Sequence, residues 1–584
     1  MAHNAAAYID RLPDIADGDE TWIRLFELDP GPSCPTTSTT NGFGVSGRLL
    51  TCKLADCPPY LALSYSWGLQ PTLVPFVVGS HQDFLISFDL HYALRNLRRG
   101  HQPRYVWIDT ICINQTDIQE RNSQVRIMRE VYAHAESVCI WLGMPPSSAG
   151  DLTGARIQDI RYDVMQHVAS KADRNWCRRR WVVQEAAAAT ADPVILIASL
   201  LLDCNLFIRH CIDNHLRLGP SDADLETVIE ILTFSAIIST RTSFRRSLEG
   251  LDTFNLSFWL RSTVDLHASK PHDAIYAVLG LVDVEAKQAV RVDYGMSFID
   301  LYAEVTQLLV DASSWGSEFP LDVVISSCWQ RLFLTEPSWI LDFSHPSTHT
   351  SWAQFDNQTT VETTAAVRAN DNAPTQSIRR NSVTRKLHYL NSQAGTTTCG
   401  GHVVVKSANE NELRASFNKD LRTMTCSGLL LGVIRSITPV HGHLLSLKSE
   451  SQPDAVDERA ISMKLQCSAS KLTSALRLSK DLNSSQYYVD QMTVFVTTDG
   501  AVGMCYSTMN NGRPGLDARS PVLKVGDQVV RLYGAGSLVL VRPLAGESDG
   551  ERFRLLLPCM FKRDCECHVG QPHSAGAFQR MSFV

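Results

Sequence analysis

Three short segments carry the residue types from which a reactive site could be built. Trp181-Val-Val-Gln-Glu185 sets a carboxylate four residues after an indole, with Arg178 one turn earlier. On a helix these spacings put Arg178, Trp181, Val182 and Glu185 on one face. A guanidinium there would favour the ionised carboxylate. A carboxylate beside a sugar steadies an oxocarbenium-like transition state and orients the sugar hydroxyls. Trp181 would shield such a site or stack on a ring. The second segment is Ser64-Tyr-Ser-Trp-Gly68, and the third runs from Asp109 to Asn114-Gln115. Ser64, Ser66, Trp67, Asp109 and Asn114 are the ligand-facing candidates there. Each position also has a plainer reading. Arg178 and Glu185 could be a surface ion pair contributing ~0–1 kcal/mol, and Trp181 a core anchor. Asp109 could satisfy backbone N–H groups after a strand, and Asn114 could cap a helix.

The elements that must position these residues can be read from periodicity. Tyr60–Ser64, Tyr105–Ile108 and Ser137–Leu142 are continuous apolar runs, which suit strands buried on both faces of a parallel sheet. Between the last two lies a helical pattern. Thr116 with Gln119, or Asp117 with Glu120, can form a capping box, and Val125, Met128, Tyr132 and Ala135 follow on one face. Strand, helix and strand at this spacing make a βαβ unit. Ser64–Gly68 and Asp109–Asn114 would then converge at one sheet edge, where open α/β sheets bind ligands. Residues 175–189 read as one Ala-rich helix closed by Pro193. Helical stretches are expected at Leu225–Ile238 and Ser297–Val310. Residues 346–400 read as a polar linker or insertion, and residues 445–485 as a second polar stretch. Strand-like runs at Met492–Gly500, Gln528–Tyr533 and Ser537–Pro543 predict a β-rich end.

Composition narrows the classes. The chain has 584 residues, 54 Lys+Arg against 61 Asp+Glu and a formal charge of −7, with no basic tail; this argues against nucleic acid as the main partner. Apolar residues at 44% and charged residues at 20% are ordinary globular usage. The first residues lack the basic and apolar regions of a leader, and Val194–Leu202 is about half the length of a membrane span. The expectation is a soluble cytoplasmic protein with reduced thiols among its 16 Cys. Cys559, Cys565, Cys567, His568 and His573 offer enough ligands for zinc, but Cys-x-Cys-His lacks the usual gap between paired ligands. Gly42-x-Gly44-x-x-Gly47 matches a dinucleotide fingerprint in form only, because a strand-like segment follows where a helix is needed. Cys112 has no recognisable catalytic partner in sequence.

Taken in order, Ala62-Leu-Ser-Tyr-Ser-Trp-Gly68, Trp107-Ile-Asp-Thr-Ile-Cys-Ile-Asn-Gln115, Gln124-Val-x-x-Met128, Ala135 through Trp141-Leu-Gly143, and Arg180-Trp-Val-Val-Gln-Glu185 resemble the blocks of the fungal heterokaryon incompatibility (HET) domain. Lys270-Pro-His-Asp-Ala-Ile-Tyr-Ala-Val-Leu-Gly280, Val292-Asp-Tyr294, Pro337-Ser-Trp339 and Thr498–Pro543 resemble the C-terminal extension of such proteins. The resemblance implies nonself recognition and programmed cell death, with partners drawn from a second copy or another incompatibility protein. A role beside a secondary-metabolite pathway is a further implication. More distantly, Ser64-Tyr65-Ser66 and Trp181-x-x-x-Glu185 resemble features of TIR domains, many of which cleave NAD. That likeness implies Glu185 as the catalytic carboxylate and NAD as substrate rather than cofactor, with Ser64, Ser66, Trp67, Asp109, Asn114, Arg178 and Trp181 lining the site. The alternative is a HET module that signals by assembly without chemistry. The fold expected is a TIR-like, mostly parallel α/β domain over residues 20–205, a helical extension over 206–345 and a β-rich region over 401–584.

Overall fold

The computed structural model describes residues 7–8, 12–13, 21–31, 45–67, 72–143, 176–197, 200–209, 225–249, 255–264, 266–311, 321, 324, 329–331, 337–346, 415–418, 423–439, 492–500, 502–506, 523–532, 538–544, 552–562 and 579–584. It divides into two compact units, Met1–Leu301 and Tyr302–Val584. The polar stretches at 346–400, apart from Pro346, and at 445–485, together with Cys565, Cys567, His568 and His573, lie outside the described residues.

The first unit is built on a nine-stranded sheet. Its strands are β1 (Trp22–Leu28), β2 (Ser46–Lys53), β3 (Leu61–Ser64), β4 (Leu73–Val78), β5 (His81–Ser87), β6 (Arg104–Trp107), β7 (Ser137–Trp141), β8 (Val194–Ile197) and β9 (Leu200–Asp203). The order is β5-β4-β2-β1-β6-β3-β7-β8-β9. Strands β6, β3, β7 and β8 run parallel to their neighbours within this group. In chain order these four read 2-1-3-4, so the chain reverses its direction of travel across the sheet beside β3. The expected "mostly parallel" sheet is corrected to a mixed one. The β1–β2 hairpin joins β6 antiparallel, and the β4–β5 hairpin and β9 extend the edges. Antiparallel hairpins need only short turns, so they add width without crossover helices.

The βαβ expectation holds in outline at β6–β7, with β3 lying between the two strands in the sheet. Helix α1 (Phe88–Leu97) precedes β6, and α2 (Asp109–Cys112), α3 (Ile118–Arg126) and α4 (Met128–His134) lie between β6 and β7. The anticipated single helix breaks at Ile127. Asp117 caps α3, its Oδ1 accepting from the backbone N–H groups of Gln119 and Glu120 at 2.9 and 3.1 Å. Glu120 does not close the reciprocal box. Its carboxylate instead pairs with the buried Arg24 of β1 at 2.6 Å and accepts from the Asn114 backbone N–H at 2.7 Å. Two charges removed from water are tolerated because each is matched and hydrogen-bonded. Gly47 lies inside β2, opposite Leu28, and strand rather than helix follows it, while Gly42 and Gly44 lie outside the described residues.

After β7, α5 (Trp181–Ala188) precedes β8, and α6 (Leu225–Leu248) packs on α5. Then come α7 (Leu256–Ser262), α8 (Asp273–Tyr276), α9 (Val284–Ala289) and α10 (Phe298–Asp311), the last crossing the unit boundary. The main core is the apolar layer around the sheet, including Phe26, Leu63, Trp107, Ile108, Tyr132 and Trp141. A second cluster joins Trp176, Val182 and Ala186 to Phe234, Ile237 and Ile238 of α6.

The second unit is β-rich, as its alternating sequence predicts. Strands β10 (Trp329–Arg331) and β11 (Leu341–Pro346) form a pair. The remaining strands are β12 (Ser416–Phe417), β13 (Met424–Pro439), β14 (Met492–Thr497), β15 (Val502–Tyr506), β16 (Gln528–Leu532), β17 (Leu538–Leu544), β18 (Arg552–Lys562) and β19 (Gln579–Phe583). Strand β13 pairs with β14 through one half and with β16 through another, and β14-β15-β18-β17-β16 complete the circuit. The pairings therefore close a six-stranded antiparallel ring, which leaves those strands without free edges. Inside this unit, Arg542 holds the buried Asp527 carboxylate through Nε at 2.7 Å and a terminal nitrogen at 2.8 Å.

Among the described residues, no helix is long and apolar enough to cross a membrane, and no group of three or more His, Cys, Asp and Glu is placed to hold a metal ion.

Candidate active site

Ser64 is the last residue of β3, and the chain leaves the sheet there through Tyr65, Ser66 and Trp67. One strand over, β6 ends and α2 begins at Asp109. Both segments therefore emerge at the carboxyl ends of adjacent parallel strands. A ligand site in an open α/β sheet forms there, beside the reversal of strand order.

Glu185 is brought to the same edge. Its side chain is 1% exposed, and Ser64 Oγ donates a hydrogen bond to Oε2. The Ser64 hydroxyl in turn accepts from the Trp176 indole N–H at 2.7 Å. The indole thus fixes the hydroxyl so that its proton points to the carboxylate. Arg179 approaches the other oxygen, a terminal nitrogen lying 3.7 Å from Oε1, and donates to the Tyr65 carbonyl. Burial raises the Glu185 pKa, opposed by Arg179 and the Ser64 hydrogen bond.

Asp109 forms the second acid of the site. Its carboxylate accepts from the Trp67 indole N–H at 3.2 and 3.3 Å and from the Thr110 backbone N–H at 2.7 Å. Burial pushes its pKa up to about 7, Arg179 opposes that rise, and the Glu185 charge adds to it. Arg179 thus feels both carboxylates, which hold its guanidinium firmly protonated despite burial. Behind them, Tyr132 senses both acids and stays a phenol, its pKa raised first by burial. Tyr65, hydrogen-bonded to Thr110 Oγ1 at 2.7 Å, does the same. The arrangement is two acids and one guanidinium in a low-dielectric edge, with Ser66, Trp67, Asp109 and Arg179 half-exposed around a buried Glu185.

The other expected residues divide. Asn114 is engaged locally, its Oδ1 accepting from Thr116 N and Oγ1 at 3.2 and 2.7 Å, so it serves a turn rather than the Glu185 cluster. Arg178 is exposed, and the guanidinium on Glu185 comes from its neighbour Arg179. The reason is that residues 176–180 are not part of α5. Arg179 forms a parallel bridge with His267, with His267 N to Arg178 O at 2.6 Å and Arg180 N to His267 O at 2.9 Å. The helix starts only at Trp181, so helical spacing does not extend back to Arg178. Trp181 is half-buried against the main core, and its indole N–H is directed to Asp273. Cys112 is buried, and its thiol is pushed up to about 12, chiefly by that burial, which keeps it protonated.

Residues 60–185 match the family model described as heterokaryon incompatibility protein (HET). This segment is a HET domain. A stretch of 174 residues is 32% identical to heterokaryon incompatibility protein 6, OR allele, of Neurospora crassa, covering 28% of this chain and 24% of that protein. The chain thus spans about a quarter of that relative's length. No solved structure matches.

The HET match begins just before β3 and ends on Glu185 itself, so Ser64, Asp109, Trp176, Arg179 and Glu185 all lie within it. What fixes α5 lies beyond it. The buried Arg180 donates to the carbonyls of Ala274 at 2.9 Å and Val264 at 3.2 Å. Gln184 Oε1 accepts from the Gly280 N–H at 3.1 Å. A Cβ at Gly280 would collide with Gln184 and Arg129, so the bare backbone is what permits this approach. The helix that carries Glu185 is therefore held by a strap that supplies Val264, Ala274 and Gly280. Sequence reasoning missed Arg179, Trp176 and this strap. The run Arg178-Arg-Arg180 signals a cationic element, but periodicity alone does not say which of the three turns inward.

Proposed function

We propose that the HET domain cleaves the nicotinamide–ribose bond of NAD and that the chain acts in fungal incompatibility, where loss of NAD would kill the cell. The observation that carries the chemistry is the Glu185 carboxylate, oriented by Ser64 at the end of β3 and set beside Asp109 and Arg179. In the reaction the C1′–N bond breaks and its electron pair leaves with the nicotinamide nitrogen. That nitrogen is already cationic in NAD, so no acid is needed. Glu185 steadies the positive charge developing on the ribose. Water adds to C1′ and loses its proton to the site or to solvent, giving ADP-ribose. Asp109 and Ser66 are suited to the ribose hydroxyls, Trp67 to stacking, and Arg179 to the diphosphate once it swings from Glu185. The distant TIR likeness of Ser64-Tyr65-Ser66 and Trp181-x-x-x-Glu185 supports the same reading.

Glu185 is only 1% exposed in the single chain, and this favours a second reading in which the HET domain assembles and signals without turnover. Purified full chain incubated with NAD, dilute and self-associated, separates the two. Nicotinamide release that disappears in Glu185→Gln supports cleavage. Absence of release from the assembled protein leaves the non-enzymatic module.

A further inference from the structure

A second cluster of charge lies beside the strap. Tyr294 donates its hydroxyl to the Asp273 carboxylate, and its backbone N–H bonds Asn122 Oδ1 of α3 at 2.9 Å. The ring is thus fixed in place. Two cations stand over it. The Arg121 guanidinium carbon of α3 is 3.9 Å from the ring centroid, and Lys270 Nζ is 5.1 Å from it. His272 flanks the same ring at 5.6 Å between centroids.

These cations are only partly balanced, since the Asp273 carboxylate attracts Lys270 without contacting it. Among the described residues, neither Arg121 nor Lys270 has a side-chain ion pair, and Arg121 Nε is buried without a hydrogen-bond partner. The neighbouring acids are engaged elsewhere. Asp117 caps α3, and Asp293 accepts from Asn122 and pairs with Arg291 at 3.2 Å. Asp273 takes the Tyr294 hydroxyl and the Trp181 indole, and burial raises its pKa. Partial desolvation, and after it repulsion from Arg121, holds the Lys270 ammonium below its ordinary pKa against the pull of Asp273. Two like charges on one ring, one of them with an orphaned buried N–H, favour the approach of an anion. A phosphate oxygen satisfies a guanidinium N–H and an ammonium together, and its charge relieves their repulsion.

We propose that Arg121 and Lys270, on the face of Tyr294, form an anion subsite that takes a phosphate or diphosphate group. Through Asp273 it touches Trp181, so it lies one side chain from the α5 helix that carries Glu185. The subsite stands on its own observations and does not require turnover at Glu185.

Calorimetric titration of the full chain with inorganic phosphate, pyrophosphate and ADP-ribose tests it. The expected result is saturable, salt-sensitive binding of pyrophosphate, weakened about fivefold or more in Lys270→Ala and further in Lys270→Glu, and retained in Lys270→Arg. Lys270 is exposed, so these variants leave the core intact. Tighter binding of ADP-ribose than of pyrophosphate identifies a nucleotide diphosphate as the ligand, whereas equal binding identifies the phosphate group alone. No saturable binding of any probe, or binding indifferent to Lys270→Ala and Lys270→Glu, overturns the proposal. Binding without nicotinamide release would leave the subsite standing and count only against NAD cleavage.

Discussion

Asp109 gives the structure a pH signature that can be worked through. Its carboxyl titrates near 3.8 when exposed and is pushed up to about 7 in the fold, first by burial. Between those values the unfolded chain has lost this proton while the folded chain keeps it. Deprotonation therefore favours unfolding, and the Asp109 contribution is complete below about pH 4, declines through the window, and is gone above about pH 7. One pKa unit corresponds to about 1.4 kcal/mol, so the full shift amounts to about 4 kcal/mol as an upper bound. The residue is half-exposed, and solvent screening brings the expected change between pH 5 and pH 7 to about 2 kcal/mol. Asp109→Asn removes the titration while keeping a carbonyl to accept from Trp67 or Thr110. Urea unfolding of both proteins across pH 4.5–7.5 is the assay. The variant should be the less pH-sensitive, gaining on the wild type by about 2 kcal/mol from pH 5 to pH 7. Curves that move in parallel would show that Asp109 ionises normally, and the picture of a low-dielectric edge shared by two acids would fall with it.

Ser64→Ala removes the hydroxyl between Glu185 and Trp176 and leaves two buried polar groups short of a partner, so unfolding free energy should drop by about 1–3 kcal/mol. Nicotinamide release should fall in the same variant, since Glu185 loses its orienting donor. Glu120→Ala strands the Arg24 guanidinium, whose side chain is 2% exposed, and should cost about 3–5 kcal/mol in chemical denaturation. The double replacement Arg24→Met with Glu120→Leu should recover most of that loss; failure to recover any would mean that the pair is not the source.

The sheet edge was legible because its strands are short apolar runs with polar residues where each run stops. Tyr60–Ser64 and Tyr105–Ile108 need no partner information to be recognised as buried strands, and their ends place Ser64 and Asp109. Glu185 was legible as a helical residue for the same local reason. The details that failed are non-local. Whether Arg178 or Arg179 faces Glu185 depends on a backbone bridge to His267, more than eighty residues downstream. Trp176 looked like part of a helix, yet its role is to fix a hydroxyl on a distant strand. The sheet's antiparallel half escaped notice because hairpins such as β4–β5 lack the long crossovers that mark a parallel arrangement.

The strap has a bearing on where such a domain can be cut. A segment excised at Glu185 would carry the acid but leave the Arg180 guanidinium and the Gln184 amide facing solvent or empty space, since their acceptor and donor groups sit at Val264, Ala274 and Gly280. A fragment carried on through Gly280 keeps these three hydrogen bonds and should unfold at higher denaturant than one that stops at Glu185.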